Sequence, residues 1–322
     1  MTIPFPYQLE GVRKIDEFGG RCLLSDEMGL GKSYQSLLWA DKNKVGPIVI
    51  VCPASIKWTW AEEAIKHLNM PTEILEGTKP PEGGIQFKKR TTIIVNYDIL
   101  HAWLPFLLEL KPQLVIADEC HMISNRKARR SKSVKQLCRQ IPYVIGLSGT
   151  PLTNRPKELW HILHIIRPEL YPSAWTFYFD FCKPRRTPWG WNFDGASNLG
   201  KLHKRLLSSV MIRRLKRDVL ADLPAKQRIV LPLDLSDAKE YRDAVTDFRG
   251  WMIERSPGKL TGTDRAEGLV KMGHLKRLAA TLKLPMVEEW VDNFLENSEE
   301  KLIIFGEHRK ILRTLHKRFK ES

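Results

Sequence analysis

Cysteine is scarce and scattered in this sequence, with five residues at positions 22, 52, 120, 138 and 182. An odd count with no Cys-x-x-Cys pair excludes that form of zinc site and argues against a disulfide framework. The nine histidines show no His-x-x-x-His spacing, so no metal other than Mg²⁺ is expected. No apolar run reaches the roughly 18 residues that a membrane-spanning helix requires, and no membrane partner is expected. Met1-Thr2-Ile3-Pro4 is not a basic segment leading into an apolar one, so a secretory signal is not expected either. The compartment implied is reducing and intracellular, either cytoplasm and nucleoid or nucleus. Internal repeats and low-complexity tracts are also missing.

Acidic residues are absent from two stretches that are rich in basic ones. His121–Gln140 holds Arg126, Lys127, Arg129, Arg130, Lys132, Lys135 and Arg139; Gly195–Arg217 holds Lys201, Lys204, Arg205, Arg213, Arg214, Lys216 and Arg217. With a formal net charge of +15, such blocks suit a polyanion bound through its phosphates, without readout of base sequence. A solvated basic surface is the bland alternative. Of the 322 residues, 43% are hydrophobic and 28% charged, which permits ordinary buried cores in about two domains.

The first 150 residues alternate short apolar runs with segments of helical spacing. Arg21–Ser25, Pro47–Cys52, Thr91–Asn96, Leu114–Asp118 and Tyr143–Ser148 are continuously apolar, as strands buried on both faces of a parallel sheet are. Ser33–Lys42 and Ser55–Leu68 read as helices between them. This βαβ rhythm predicts a doubly wound α/β domain with ligands beyond the carboxyl ends of its strands. Further helices are predicted over Lys157–Ile166, Asn198–Arg217 and Asp237–Arg255, a loop over Ser256–Thr263, and a buried strand within Glu299–Gly306 followed by a helix. Trp58, Trp60, Trp103 and Trp160 are expected in the core. Trp189 and Trp191 stand among Lys183, Arg185 and Arg186, where packing is favoured and stacking on an unpaired base is the alternative.

Two motifs carry chemistry. Ser25-Asp26-Glu27-Met28-Gly29-Leu30-Gly31-Lys32-Ser33 lies between a predicted strand and a predicted helix. There Gly29 and Gly31 let the backbone turn its amides toward phosphate oxygens, and the helix N-terminus adds partial positive charge. Lys32 would neutralise the β/γ-phosphates and the Ser33 hydroxyl would ligate Mg²⁺. The general phosphate-loop pattern has Gly where Asp26 stands. Alone, the motif also fits a chance loop. The second motif, Leu114-Val115-Ile116-Ala117-Asp118-Glu119-Cys120-His121, is an apolar strand ending in adjacent carboxylates. Asp118 would hold Mg²⁺ and Glu119 would polarise a water, so the pair of motifs points to NTP hydrolysis.

In order, Asp26–Ser33, Asp118–His121 and Leu147-Ser148-Gly149-Thr150-Pro151-Leu152-Thr153-Asn154 resemble motifs I, II and III of superfamily-two helicases, in the wording of the Swi/Snf-like branch. Pro6-Tyr7-Gln8 with Gly11-Val12 is similar to that family's adenine-reading segment, Val51–Ser55 through Trp60 to motif Ia, and Asn96-Tyr97 to motif Ib. Arg213–Leu220 with Leu223-Pro224-Ala225-Lys226 looks like the branch's signature after motif III. Thr187–Trp191 and Asn198-Leu199-Gly200 look more narrowly like the annealing-helicase (HARP-type) subgroup.

The resemblance implies a RecA-like ATP-binding lobe (1–155), a helical Swi/Snf-type insertion (156–280) and the beginning of a second RecA-like lobe (281–322), in which Lys301–Gly306 is similar to motif IV. It implies an ATP- and Mg²⁺-dependent motor on double-stranded or branched DNA. A nucleotide-gated DNA-binding module and an RNA helicase are the alternatives. Gln8 would contact adenine, and His121, Ser148, Gly149 and Thr150 would couple nucleotide state to DNA. Pro53, Ala54, Ser55, Asn96 and Tyr97 would touch the DNA backbone; apart from the resemblance, the charge of Arg126, Lys127, Arg129 and Arg130 and their position just after the acidic pair favour phosphate contact over a solvated face. Cys120 replaces the commoner Ala, with little consequence expected. Motifs V and VI, which bring the family's arginine finger, have no counterpart among these residues, so ATP binding with weak hydrolysis is expected.

Overall fold

In the computed structural model, residues 3–68, 70–79, 90–150, 155–220, 227–248 and 264–320 are described, the side chains of 264–270 aside. The elements in chain order are α1 (Pro6–Glu17), β1 (Arg21–Leu24), α2 (Lys32–Lys42), β2 (Ile48–Cys52), α3 (Lys57–Leu68), β3 (Thr72–Ile74), β4 (Thr92–Asn96), α4 (Leu100–Glu109), β5 (Leu114–Ala117), α5 (Arg129–Cys138), β6 (Tyr143–Leu147), α6 (Pro156–Ile166), α7 (Ala174–Phe181), β7 (Arg185–Thr187), β8 (Gly190–Asn192), α8 (Leu199–Ser209), β9 (Met211–Ile212), α9 (Lys216–Val219), α10 (Ala238–Thr246), α11 (Asp264–Asn297) and α12 (Arg309–Arg318).

The five apolar runs form the centre of a seven-stranded parallel sheet, ordered β3-β4-β2-β5-β6-β1-β9. Each side of a strand feeds a different core, because successive side chains point to opposite faces. Leu23, Val49, Val51, Ile93, Val95, Val115 and Val144 face Leu100, Trp103, Val134, Leu137 and Leu163 of α4, α5 and α6. Leu24, Ile48, Ile50, Ile94, Ile116, Ile145 and Leu147 face Val12, Ile15, Leu37, Trp39, Trp60 and Ala64 of α1, α2 and α3. Both faces are covered, which explains strands apolar along their whole length.

Four expectations are corrected, the first being Trp58, which is 64% exposed rather than in the core. The helix over Asn198–Arg217 stops at Ser209, and Met211-Ile212 becomes a seventh strand beside β1. Val210, Met211 and Ile212 bury their side chains there, which a continued surface helix would deny them. The Asp237–Arg255 helix is found over Ala238–Thr246; its end and the loop at Ser256–Thr263 lie outside the described residues. Lys301–Phe305 forms no strand, and Ile303 and Phe305 are 75% and 89% exposed. A strand needs a neighbour for its backbone groups, and none of the described residues pairs with this run.

The chain divides into two compact units, 1–224 and 225–322. The first includes α6, α7 and α8, which pack on the sheet's first core, and the β7–β8 hairpin. In the second, Ala244 of α10 packs against Leu278 and Leu282 of α11, and Arg318 of α12 forms ion pairs with Glu288 and Asp292 of α11. Among the described residues, no helix is long and apolar enough to cross a membrane.

Candidate active site

Sheet order brings the chemistry-bearing loops together. The carboxyl ends of β2, β5, β6 and β1 are neighbours, and they lead respectively into Pro53–Ser55, Asp118-Glu119, Ser148–Thr150 and the Asp26–Ser33 loop. This edge is where a parallel α/β sheet presents ligands.

Gly29 and Gly31 adopt φ of 85° and 71°, left-handed values that a residue with a Cβ rarely takes. They curl the loop so that Lys32 opens α2 and its Nζ spans back to the carbonyls of Asp26 and Glu27, at 2.9 and 3.4 Å. Burial pulls the Lys32 ammonium below its ordinary pKa, while Asp26, Glu119 and Asp118 work in the opposite direction. Ser33 is half-buried in the first turn of the helix. The curled backbone, the helix N-terminus and a cation among carboxylates fit a magnesium-bound nucleoside triphosphate.

The Asp118 carboxylate is held on both oxygens. Trp60 Nε1 donates to Oδ2 at 2.7 Å and the Glu119 amide donates to Oδ1 at 2.8 Å. Burial nevertheless raises its pKa, and these two donors and Lys32 only partly offset that. The Asp118 carbonyl accepts from the Tyr97 hydroxyl at 2.5 Å. Glu119 takes φ 45° and ψ 50°, a left-handed conformation with a cost of order 1–3 kcal/mol for a residue with a side chain. Its Oε2 lies 3.1 Å from His121 Nδ1, an ion pair when the imidazole is protonated. Cys120 is wholly buried behind this turn.

The loop after β6 touches the phosphate loop directly. Ser148 is buried, its amide donates to the Leu24 carbonyl, and its Oγ accepts from the Thr150 amide at 3.2 Å. A Cβ on Gly149 would come within 2.8 Å of Met28 Cγ, so the two loops touch here and a larger residue would push the exposed Met28 side chain aside. Thr150 is exposed, as is Met28, whereas the Leu30 side chain is turned into the core. Gln8 is buried above Gly31, with Oε1 accepting from the Phe5 amide at 3.0 Å and Nε2 donating to the Leu30 carbonyl at 3.4 Å. Glu27 Oε2 accepts from the Lys216 amide at 2.7 Å.

Three sequence assignments change. The Asp26 side chain is fully buried and faces Arg214 rather than the cavity of the loop. Arg214 Nη2 and Nε donate to its two oxygens at 2.5 and 3.1 Å, and Gln35 Nε2 donates at 3.0 Å. Only the backbone of Asp26 remains for a ligand. Tyr97 and Asn96 are 1% and 7% exposed, because β4 is a central strand, so neither side chain is free to lie on a DNA backbone. Arg130 is half-buried and donates from Nε to the Met122 carbonyl at 2.7 Å. Arg126, Lys127 and Arg129 are exposed, as are Ala54 and Ser55, and Pro53 is half-buried.

Two contributors escaped the sequence reading. Trp60 read as core, yet its indole nitrogen orients Asp118; no spacing rule ties two residues so far apart. Arg213 and Arg214 read as part of a phosphate-attracting block. They instead bind β1 and β6 to the loop, Arg213 Nη1 donating to the carbonyls of Ser25 and Gly149 at 2.9 and 3.4 Å. Pro151–Asn154 and 221–226, which holds Leu223–Lys226, lie outside the described residues.

Comparison with known proteins agrees with this geometry. Residues 7–280 match the SNF2-related domain. The chain is 33% identical over 317 residues to the bovine SWI/SNF-related matrix-associated actin-dependent regulator of chromatin subfamily A-like protein 1, covering 97% of this chain and 32% of that protein. It is 33% identical over 322 residues to the bovine DNA annealing helicase and endonuclease ZRANB3, covering 95% of this chain and 29% of that protein. The chain thus spans about a third of the length of these relatives. Among solved structures, the Sulfolobus solfataricus SWI2/SNF2 ATPase core in complex with dsDNA superposes with a TM-score of 0.59 at 24% identity, over 99% of this chain and 71% of that one. The fold is therefore that of the SWI2/SNF2 RecA-like ATPase core, and the chain belongs to the SNF2-related family.

Proposed function

We propose that this chain is the nucleotide-binding part of a DNA-dependent ATPase motor that moves on double-stranded or branched DNA. The observation that carries the reading is the convergence of Lys32, Asp118, Glu119 and Gly149 at adjacent strand ends, with Lys32 within the electrostatic reach of both carboxylates. ATP with Mg²⁺ supplies, when bound, a phosphoanhydride whose charge the ion partly neutralises. Lys32 and the amides around Gly29 and Gly31 would face the phosphates, and Ser33 and Asp118 would hold the ion. Glu119, in its left-handed turn, would orient the attacking water, and Gln8, buried above Gly31, would contact adenine.

Ser148 and Gly149 rest against the phosphate loop, so a change there reaches the exposed Thr150. His121, 3.1 Å from Glu119, would do the same from that side. Exposed Ala54 and Ser55 with half-buried Pro53, and exposed Arg126, Lys127 and Arg129, are the DNA-facing candidates. We keep the division into a first lobe (1–155), an insertion (156–280) and the start of a second lobe (281–322) as part of this reading, with an intracellular location. None of the residues assigned to the site plays the part of the family's arginine finger, a group worth about 10³–10⁵ in rate in phosphoryl transfer, and weak hydrolysis stays part of this reading.

The test is a nucleotide titration and an ATPase assay run side by side with duplex DNA, single-stranded DNA and RNA. Magnesium ATP should bind, Lys32→Ala should abolish binding without unfolding the chain, and turnover should be slow and highest with DNA. Unchanged affinity in Lys32→Ala removes the phosphate-loop assignment. Stimulation by RNA alone favours the RNA-helicase alternative, and binding with no turnover at all favours a nucleotide-gated DNA-binding module.

A further inference from the structure

Beside the candidate site lies an aromatic surface that nucleotide binding does not use. In the β7–β8 hairpin, Arg186 pairs with Trp191 and Thr187 with Gly190, which leaves Pro188-Trp189 as a two-residue tip. Trp189 is 97% exposed, Trp175 of α7 57% and Trp191 46%. The rings stand on a common base: Trp175 and Trp191 lie 5.4 and 6.3 Å from Phe193, which is itself buried. Leaving an indole at the tip wholly in water forfeits the benefit of burying it, and exposed apolar patches of this kind mark contact sites.

The charges around the patch indicate what it contacts. A cleft of about 640 Å³ separates Trp175, Tyr178 and Trp191 from Arg126, Lys127, Arg155 and Lys157. Two acidic residues share the lining: Asp194 lies 2.7 Å from Arg155 and 3.4 Å from Lys157, and Glu158 lies among the same residues. Arg126 and Lys127 also line a second hollow, of about 390 Å³, together with Lys132, Lys135, Trp160 and His161. His161 is 4% exposed and Trp160 6%, and neither the Trp160 Nε1 nor either His161 nitrogen has a hydrogen-bond partner of ordinary geometry among the described residues. The Trp160 indole N–H, buried without a partner beside four cations, suits an oxyanion.

We propose that this surface binds an unpaired stretch of DNA, with bases on Trp175, Trp189 and Trp191 and phosphates at Arg126, Lys127, Lys132 and Lys135. An unpaired base offers its π-face to an indole, whereas bases inside a duplex are already stacked on one another. The alternation of aromatic cleft and cationic hollow matches a strand in which bases and phosphates are equally frequent. The proposal rests on the reading of the chain as a DNA motor, and it adds a site for the open strand at a branch.

The experiment is fluorescence anisotropy with three labelled probes: oligo-dT, an abasic strand of equal length, and a blunt duplex. Oligo-dT should bind about tenfold more tightly than the abasic strand, the scale of one or two base–aromatic stacks. Trp189→Ala should remove most of that advantage without threatening the fold, since the side chain is exposed, and Trp189→Phe should retain it. Lys132→Ala with Lys135→Ala should weaken both single strands alike. Equal binding of oligo-dT and the abasic strand, or no effect of Trp189→Ala, overturns the proposal while duplex binding leaves the motor reading standing. Failure of all three probes to bind at low salt removes both.

Discussion

Burial decides the behaviour of single groups here more than their chemical type. His161 is enclosed between α5 and α6, and its pKa is lowered to about 4, first by burial and then by the charges of Lys135, His164 and Arg126; a backbone contact at Ser131 weakly opposes them. The imidazole is neutral in the folded chain but takes a proton below about 6.5 when unfolded. Its contribution is therefore fully present above about pH 6.5 and is lost as pH falls toward 4, because the unfolded state binds more protons in that window. The loss is at most about 3 kcal/mol. Thermal melts between pH 7 and pH 4.5 should show His161→Phe losing less stability on acidification than the parent; parallel curves would assign the acid sensitivity elsewhere. Asp118 illustrates the limit of reading residues from sequence. Its position after an apolar strand was legible, because four apolar residues and two acids are a local pattern. Its Trp60 partner was not, because that contact exists only once α3 lies on the sheet.

At the scale of elements, β9 and the residues that follow it tie the phosphate loop down. Arg214 donates to both Asp26 oxygens, to Gln35 Oε1 at 2.6 Å and to the Tyr7 carbonyl, with its guanidinium 5.5 Å from the Tyr7 ring. One side chain thus joins α1, α2, the loop and the segment after β9. Removing it leaves the fully buried Asp26 without its cation, which costs about 3–5 kcal/mol in comparable buried pairs. Arg214→Met should destabilise the first unit by that order, and Asp26→Asn in the same chain should recover part of the loss. Denaturant melts of the two single variants and the double variant check this, and additive effects would mean that the pair is not coupled. The same elements show where sequence patterns fail. The five long strands were legible because continuous apolarity is a local signal. β9 has two residues, too few to display any period, and its pairing with β1 spans most of the unit. Lys301–Phe305 has the strand pattern but no partner among the described residues, and composition cannot report a missing neighbour.

For the molecule as a whole, a net charge of +15 predicts attraction to polyanions, but the fold decides which charges are available. The two acid-free blocks looked equivalent as sequence. In the structure the second loses Arg213 and Arg214 to the phosphate loop, and Arg205 covers the Tyr171 ring and donates to the Leu170 carbonyl. The first keeps Arg126, Lys127, Arg129, Lys132, Lys135 and Arg139 exposed along α5 and the turn before it. Each phosphate neutralised releases counterions, so the logarithm of affinity falls with the logarithm of salt with a slope of about −0.9 per contact. Six contacts predict a loss of roughly 10³ in duplex affinity between 50 and 200 mM salt, independent of base sequence. Lys132→Ala with Lys135→Ala should make that slope shallower by about two, whereas substitutions of Arg213 and Arg214 should act through stability and leave the slope of the folded fraction unchanged. Anisotropy titrations of random duplexes at several salt concentrations give the slopes directly. A flat salt dependence, or a marked preference for one duplex sequence, would contradict an electrostatic grip on the backbone centred on α5.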